Sequence, residues 1–199
     1  MRQIEFMYDF GSPNAYLVHK CLPDIARRCD AEVVYRPILI GGVFKATNNQ
    51  PPLMAFANIP GKVDYIRVEM ARFLERHKVA FKFNPHFPVN TLNVMRAAMF
   101  STGKNWENKY IDAVFEAMWV DGKDMSNLEI IAEVLLGAGL PKDDIMNAMQ
   151  DVDVKSSLAD VTAAAVARKI YGSPTMFVGK EMFFGKDSLD DLEWRLSQP

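Results

Sequence analysis

The sequence predicts an α/β fold in which a four-stranded mixed sheet is interrupted by a large all-helical insertion. Three observations carry this expectation. Residues 3–35 read as strand, helix and strand, and apolar residues then recur with a helical period from about 62 to 171. From Thr175 onward, two short strands flank Gly179-Lys180 and lead into a last helix. Residues 1–60 and 172–199 are thus expected to form one discontinuous sheet domain, and residues 61–171 the helical insertion.

Residues 3–9 alternate and run into the turn Asp9-Phe10-Gly11-Ser12-Pro13. Ser12 before Pro13 is the pattern of a helix N-cap followed by proline at the first helical position. The helix continues to about Cys29, with Leu17, Leu22, Ile25 and Ala26 near one face. Ala31 to Tyr35 is short and β-branched, closed by Arg36-Pro37, and a strand–helix–strand unit of this length makes its two strands parallel. Between Gly41 and Pro60 the turn-formers Gly41-Gly42, Asn48-Asn49, Pro51-Pro52 and Pro60-Gly61 predict a long loop, ordered by Val43, Phe44, Leu53, Met54 and Phe56. From 62 to 171 the pattern predicts helix throughout. Val63, Ile66, Met70, Phe73 and Leu74 mark one face, and Trp106, Tyr110, Ile111, Val114 and Met118 another. Leu128 to Leu135 continues to Gly137, a short helix follows Pro141, and a longer one runs from about Val154 to Tyr171. Gly185-Lys186-Asp187-Ser188 opens the last helix, with Asp187 and Asp190 spaced as a capping pair.

Composition excludes several functions. The net charge is −2 with no run of Lys and Arg, whereas a nucleic-acid binder gathers basic residues to neutralise phosphates. The most apolar stretch, residues 130–140, is broken by Glu133 and two glycines and falls short of the roughly 18 apolar residues of a membrane span. The N-terminus lacks the apolar core of a signal peptide, so a cytoplasmic location is expected. Cys21 and Cys29 lie outside any CxxC spacing, and His19, His77 and His86 form no ligand spacing, so no metal site is expected.

The order of elements resembles the thioredoxin fold, giving an α/β, thioredoxin-like fold with an inserted all-helical domain. Where thioredoxin-like proteins carry Cys-Pro-X-Cys, this chain reads Ser12-Pro13-Asn14-Ala15, and Gly172-Ser173-Pro174-Thr175 fits their cis-proline strand. The chain further resembles the 2-hydroxychromene-2-carboxylate isomerases and the related kappa-class glutathione transferases. The matching pieces are Tyr8-Asp9-Phe10-Gly11-Ser12-Pro13, Arg36-Pro37, Gly41-Gly42-Val43-Phe44-Lys45-Ala46-Thr47, Asn49-Gln50-Pro51-Pro52, Phe87-Pro88-Val89-Asn90-Thr91 and Phe184-Gly185-Lys186-Asp187, together with the proline motif above. They span almost the whole chain.

That resemblance implies a glutathione-dependent isomerase, a homodimer, acting on a small aromatic carboxylate and yielding trans-o-hydroxybenzylidenepyruvate in aromatic catabolism. It implies that Ser12 stabilises the glutathione sulfur as an anion at a helix N-terminus, which favours thiolate. Ser173 beside Pro174 would pair with the cysteinyl part, and Phe184-Gly185-Lys186-Asp187 would hold the γ-glutamyl end. Asn49 and Lys62 match positions at the glycyl end, although Lys62 also reads as a plain surface lysine. Lys45 is either the anchor for the substrate carboxylate or a solvated loop charge; Asn90 either lines the cleft or caps a helix. Two residues depart from the pattern: Asn14 replaces an aromatic and Ser188 an arginine. The same resemblance leaves room for a kappa-type transferase or peroxidase, and the fold alone for a non-catalytic binding module.

Overall fold

A computed structural model of the chain describes residues 2–198. Strand β1 (Arg2–Tyr8), helix α1 (Pro13–Arg28) and strand β2 (Ala31–Pro37) form the opening unit. Helices α2 (Ile40–Thr47), α3 (Pro52–Ala55), α4 (Lys62–His77), α5 (Leu92–Ser101), α6 (Glu107–Trp119), α7 (Leu128–Gly137), α8 (Lys142–Ala148) and α9 (Val152–Ala167) follow. The chain closes with β3 (Thr175–Val178), β4 (Glu181–Phe184), a 3₁₀ turn (Lys186–Ser188) and α10 (Leu189–Ser197). No helix among the described residues is long and apolar enough to cross a membrane.

The sheet order is β2-β1-β3-β4. β1 and β2 run parallel with Ile4 opposite Val33, while β3 is antiparallel to β1 and to β4. The expected mixed sheet is therefore borne out. The strand period of two sends Ile4, Phe6 and Tyr8 into one face, where all three are fully buried. Their core runs without a break into the helical insertion: Tyr8 and Phe10 meet edge to face at 5.3 Å, and Phe10 meets Phe115 of α6 at 4.7 Å. Met7 points to the opposite face and packs with Ile38, Val43, Ala165, Ile170 and Phe177 under α2 and α9. Trp119, at the end of α6, donates its indole N–H to the carbonyl of Phe10 at 2.8 Å, pinning the insertion to the turn after β1.

Four local expectations are corrected. Residues 41–60 are largely helical rather than a loop. Gly42 lets α2 lie against α9, where an added Cβ would stand 3.3 Å from Thr162 Cγ2, and the Leu39 N–H reaches Thr162 Oγ1 at 3.0 Å. The turn-formers act at the ends of elements: Asn48, left-handed at φ 52°, closes α2, and Pro52 opens α3.

Conversely, residues 62–171 are not helical throughout. Lys78 ends α4 at φ 53°. The irregular stretch that follows is held by the side chain of Asn84, which donates to the carbonyls of Met118 and Lys123, each at 2.9 Å. Helix α9 starts at Val152 because Asp151 accepts from the N–H groups of Asp153 and Val154. It stops at Ala167, short of Tyr171, where Lys169 turns to φ 67°. Finally, Asp187 and Asp190 do not form a capping pair: the Asp187 carboxylate takes the Lys186 ammonium at 2.7 Å, and Ser188 Oγ donates to the Gly185 carbonyl at 2.9 Å.

Replacing Trp119 with alanine removes a fully buried ring and leaves the Phe10 carbonyl without that donor. The expected loss is about 3–5 kcal/mol of unfolding free energy, measured by urea denaturation; a loss below about 1 kcal/mol would show that the insertion is held elsewhere.

Candidate active site

The site forms where two turns meet. Ser12 is the N-cap of α1: its Oγ accepts from the Ala15 N–H at 3.2 Å and donates to the Ser173 carbonyl at 2.9 Å. In return, the Asp9 N–H donates to Ser173 Oγ at 3.1 Å. The Ser173–Pro174 peptide is cis, as the resemblance implies. These bonds in both directions stitch the turn after β1 to the turn before β3.

Behind them lies Asp9, fully buried. One carboxylate oxygen accepts from the Gly11 N–H at 2.8 Å and the Thr91 hydroxyl at 2.7 Å; the other accepts from the Ile40 N–H at 2.8 Å. Burial raises the Asp9 carboxyl above the usual carboxylate range, and these three donors pull it back only in part.

In front of the turns opens a cleft of about 500 Å³. Its walls are mainly apolar, with Phe44, Phe56, Met70, Phe83 and Phe184 among them. The rings of Tyr171 and Phe184 pack at 4.4 Å. Gly172 lies beneath the Phe184 ring, which an added Cβ would approach to 3.1 Å, so a larger residue would push this wall into the cleft. Polar groups are few. Asn14, beside Ser12, has a buried Oδ1 that no donor reaches, and Arg67 on α4 is the one charged side chain on the wall among the described residues.

Of the residues singled out in the sequence, Ser12, Asn49, Ser173, Pro174, Phe184 and Gly185 line this cleft. Asn49 also donates its side-chain amide to the Tyr171 carbonyl at 2.8 Å, tying the α2–α3 link to the floor. The others do not reach the wall. The Lys186 ammonium is buried between Glu69 and Asp187 and over the Phe73 ring, and the Asp187 side chain is exposed. Lys62 sits 5.2 Å from the centroid of the Phe56 ring, outside the cleft, and Lys45 is exposed at the end of α2. Asn90 stands just before Thr91, the N-cap of α5, and its Oδ1 accepts from the Leu92 N–H at 3.0 Å.

Sequence reasoning missed Asp9 and Arg67. Asp9 carried a local signal, an acid two residues before a glycine in an otherwise apolar strand end. Arg67 carried a weaker one, its place between Ile66 and Met70, which also line the cleft. Cys21 and Cys29 are half-buried free thiols; burial, with Asp24 nearby, pushes the Cys21 thiol up to about 11. Among the described residues no group of three His, Cys, Asp or Glu side chains converges.

Comparison with known proteins places this geometry. Residues 3–197 match the family model of the DSBA-like thioredoxin domain. The chain belongs to the DsbA-like thioredoxin family. Within the family its branch is that of the 2-hydroxychromene-2-carboxylate isomerases. It is 30% identical to such an isomerase from Pseudomonas sp. (strain C18), over 96% of this chain and 88% of that one. It is 28% identical to glutathione S-transferase kappa 1 of Rattus norvegicus, over 99% and 92%. A solved 2-hydroxychromene-2-carboxylate isomerase superposes with a TM-score of 0.85 at 26% identity, covering 98% of this chain and 94% of that one. Unlike a Cys-Pro-X-Cys protein, this DsbA-like chain offers only a hydroxyl at the start of α1, so it has no thiolate there for disulfide exchange.

Asp9 yields a test of the scaffold. A carboxyl held above its unfolded value of about 3.9 binds its proton more tightly in the folded chain, so its contribution to stability falls as pH rises from that value through the folded pKa. Asp9→Asn sets an amide N–H against the Ile40 N–H and is expected to cost about 1–3 kcal/mol at neutral pH. Because only the wild-type chain gains stability through this group on acidification, the gap is expected to widen toward about pH 4. Urea midpoints measured across pH check both; a gap that narrows on acidification contradicts the assignment.

Proposed function

We propose that this chain is a glutathione-dependent isomerase of the 2-hydroxychromene-2-carboxylate type. The observation that carries the reading is a serine hydroxyl, with no thiol of the protein's own, at the N-terminus of the 16-residue helix α1 and on the floor of a mostly apolar cleft. The name of its transferase relative includes glutathione, and those of its isomerase relatives give the reaction.

The residues present fit such a cofactor. The floor offers the Ser12 hydroxyl and the positive end of α1, which lower the pKa of a thiol by favouring its anion. Gly185 lines the cleft and leads into the 3₁₀ turn, whose first N–H groups would suit a carboxylate, while the exposed Asp187 carboxylate, already shared with Lys186, would suit an ammonium.

The chemistry a bound thiol supplies is reversible addition to a conjugated double bond, across which rotation is otherwise slow. The protein's part is positioning and electrostatics. Ser12 must turn its proton from the Ser173 carbonyl toward the sulfur, a rotation of one O–H bond that leaves the Ala15 N–H bond in place. The aromatic walls exclude water and strengthen every charge interaction inside. Arg67, which also meets the Asp64 carboxylate at 3.2 Å, takes the place foreseen for Lys45 as the cation for the substrate carboxylate. A kappa-type transferase would use the same floor on a different electrophile, and its product would keep the thioether; product analysis separates the two.

Ser12→Ala is expected to keep the far-ultraviolet circular dichroism of the wild type and to lower isomerase turnover about 100-fold, the scale of one lost donor to a developing anion. The pKa of bound glutathione, read from thiolate absorbance, should rise in parallel. Full turnover with an unchanged thiol pKa rejects the role. Arg67→Leu is expected to raise KM for the aromatic carboxylate about tenfold with kcat little changed; an unchanged KM would remove Arg67 from the site.

A further inference from the structure

A second cavity, of about 480 Å³, lies on the other side of α2 from the cleft. Helix α2 is the wall between them: Ile40 and Phe44 face the cleft, while Gly42 and Ala46, four residues apart, face the second cavity. Its opposite wall is α9, where Ala159 and Ala163 leave room in the same way, and Leu92 of α5 and Leu158 close it. The volume lies in the range that holds a one- or two-ring molecule.

The charges around this groove are of one sign. Arg96 of α5 and Lys155 of α9 line it, and no carboxylate does among the described residues. Neither forms an ion pair with a described residue. The guanidinium is anchored by one N–H to the Met149 carbonyl at 3.0 Å, while its Nε–H is buried without an acceptor. An anion in the groove would meet the guanidinium N–H groups other than the one bonded to Met149 and the Nε–H that is closed off from it.

We infer that the groove between α2, α5 and α9 is a second binding site, for an amphipathic monocarboxylate whose apolar body lies against the alanines and whose carboxylate meets Arg96 and Lys155. Such a ligand is also placed to act on the cleft. The first residues of α2 are pinned between the two cavities, Leu39 N–H to Thr162 Oγ1 at 3.0 Å on one side and Ile40 N–H to the Asp9 carboxylate at 2.8 Å on the other. The inference does not depend on the proposed isomerase activity.

The probe is 2-naphthoate, with 2-naphthylmethanol as the uncharged counterpart, followed by amide chemical shifts in the full chain. The naphthoate is expected to shift Ala46, Ala159 and Ala163, and the alcohol to bind there about tenfold more weakly for want of the charged hydrogen bonds. Lys155→Met, at an exposed position, should weaken the naphthoate without affecting the alcohol. Ala159→Trp, also exposed, should fill the groove and abolish the shifts while the amide signals around Asn14 and Gly185 keep their wild-type positions. Three results overturn the inference: shifts confined to the cleft around Asn14 and Gly185, equal affinity for the two naphthalenes, or loss of a dimer in sedimentation on Ala159→Trp, which would give the groove to a second copy of the chain.

Discussion

The site depends on one buried carboxylate. Asp9 takes hydrogen bonds from Gly11 in its own turn, from Ile40 at the head of α2 and from Thr91 at the head of α5. No cation joins them among the described residues, so the burden of desolvation falls on three neutral donors. Such a group tolerates little displacement, because each donor that drifts away leaves an acceptor bare in a dry interior. It therefore sets three segments, distant in sequence, at fixed distances from one another. Gly11 belongs to the same constraint: an added Cβ would stand 3.3 Å from both the Asp9 carboxylate and the Thr91 methyl.

From this anchor the rest of the cleft follows. Fixing Gly11 sets Ser12 at the start of α1 and against Ser173; fixing Ile40 sets Phe44 and Asn49 on the wall; fixing Thr91 sets Val89, and with it the irregular segment that carries Phe83, on the wall as well. The insertion is part of the same body as the sheet, since the aromatic contacts from Tyr8 through Phe10 to Phe115 cross between them without a gap. Its placement answers to packing, and the cleft is what the packing leaves open.

Much of this was legible in the sequence. Alternation in β1, the Ser12-Pro13 start of α1 and the Gly179-Lys180 hairpin are local signals, and each appears as expected with small shifts at the ends. The failures were of two kinds. The turn-forming residues in 41–60 predict a loop, because a pattern of Gly, Asn and Pro does not say whether it interrupts a helix or bounds one. There the answer came from a tertiary contact, Gly42 on Thr162. The second kind concerns charge. Lys45, Lys62 and Lys186 look alike as letters, yet one is solvated, one lies over a ring outside the cleft and one is buried in an ion pair. Which face of α4 meets the cleft is decided only once the insertion packs, and that choice brought Arg67 forward instead.

The absence of sulfur from the start of α1 has a further consequence. The side chain at that position is an alcohol, which peroxides and alkylating reagents leave untouched, whereas a thiolate in the same electropositive setting would be carried step by step toward sulfinic acid. The two cysteines of the chain sit toward or at the other end of α1, and burial raises the Cys21 thiol to about 11, which disfavours its thiolate. Oxidative damage at this position, to which a cysteine-bearing relative is open, has no purchase here.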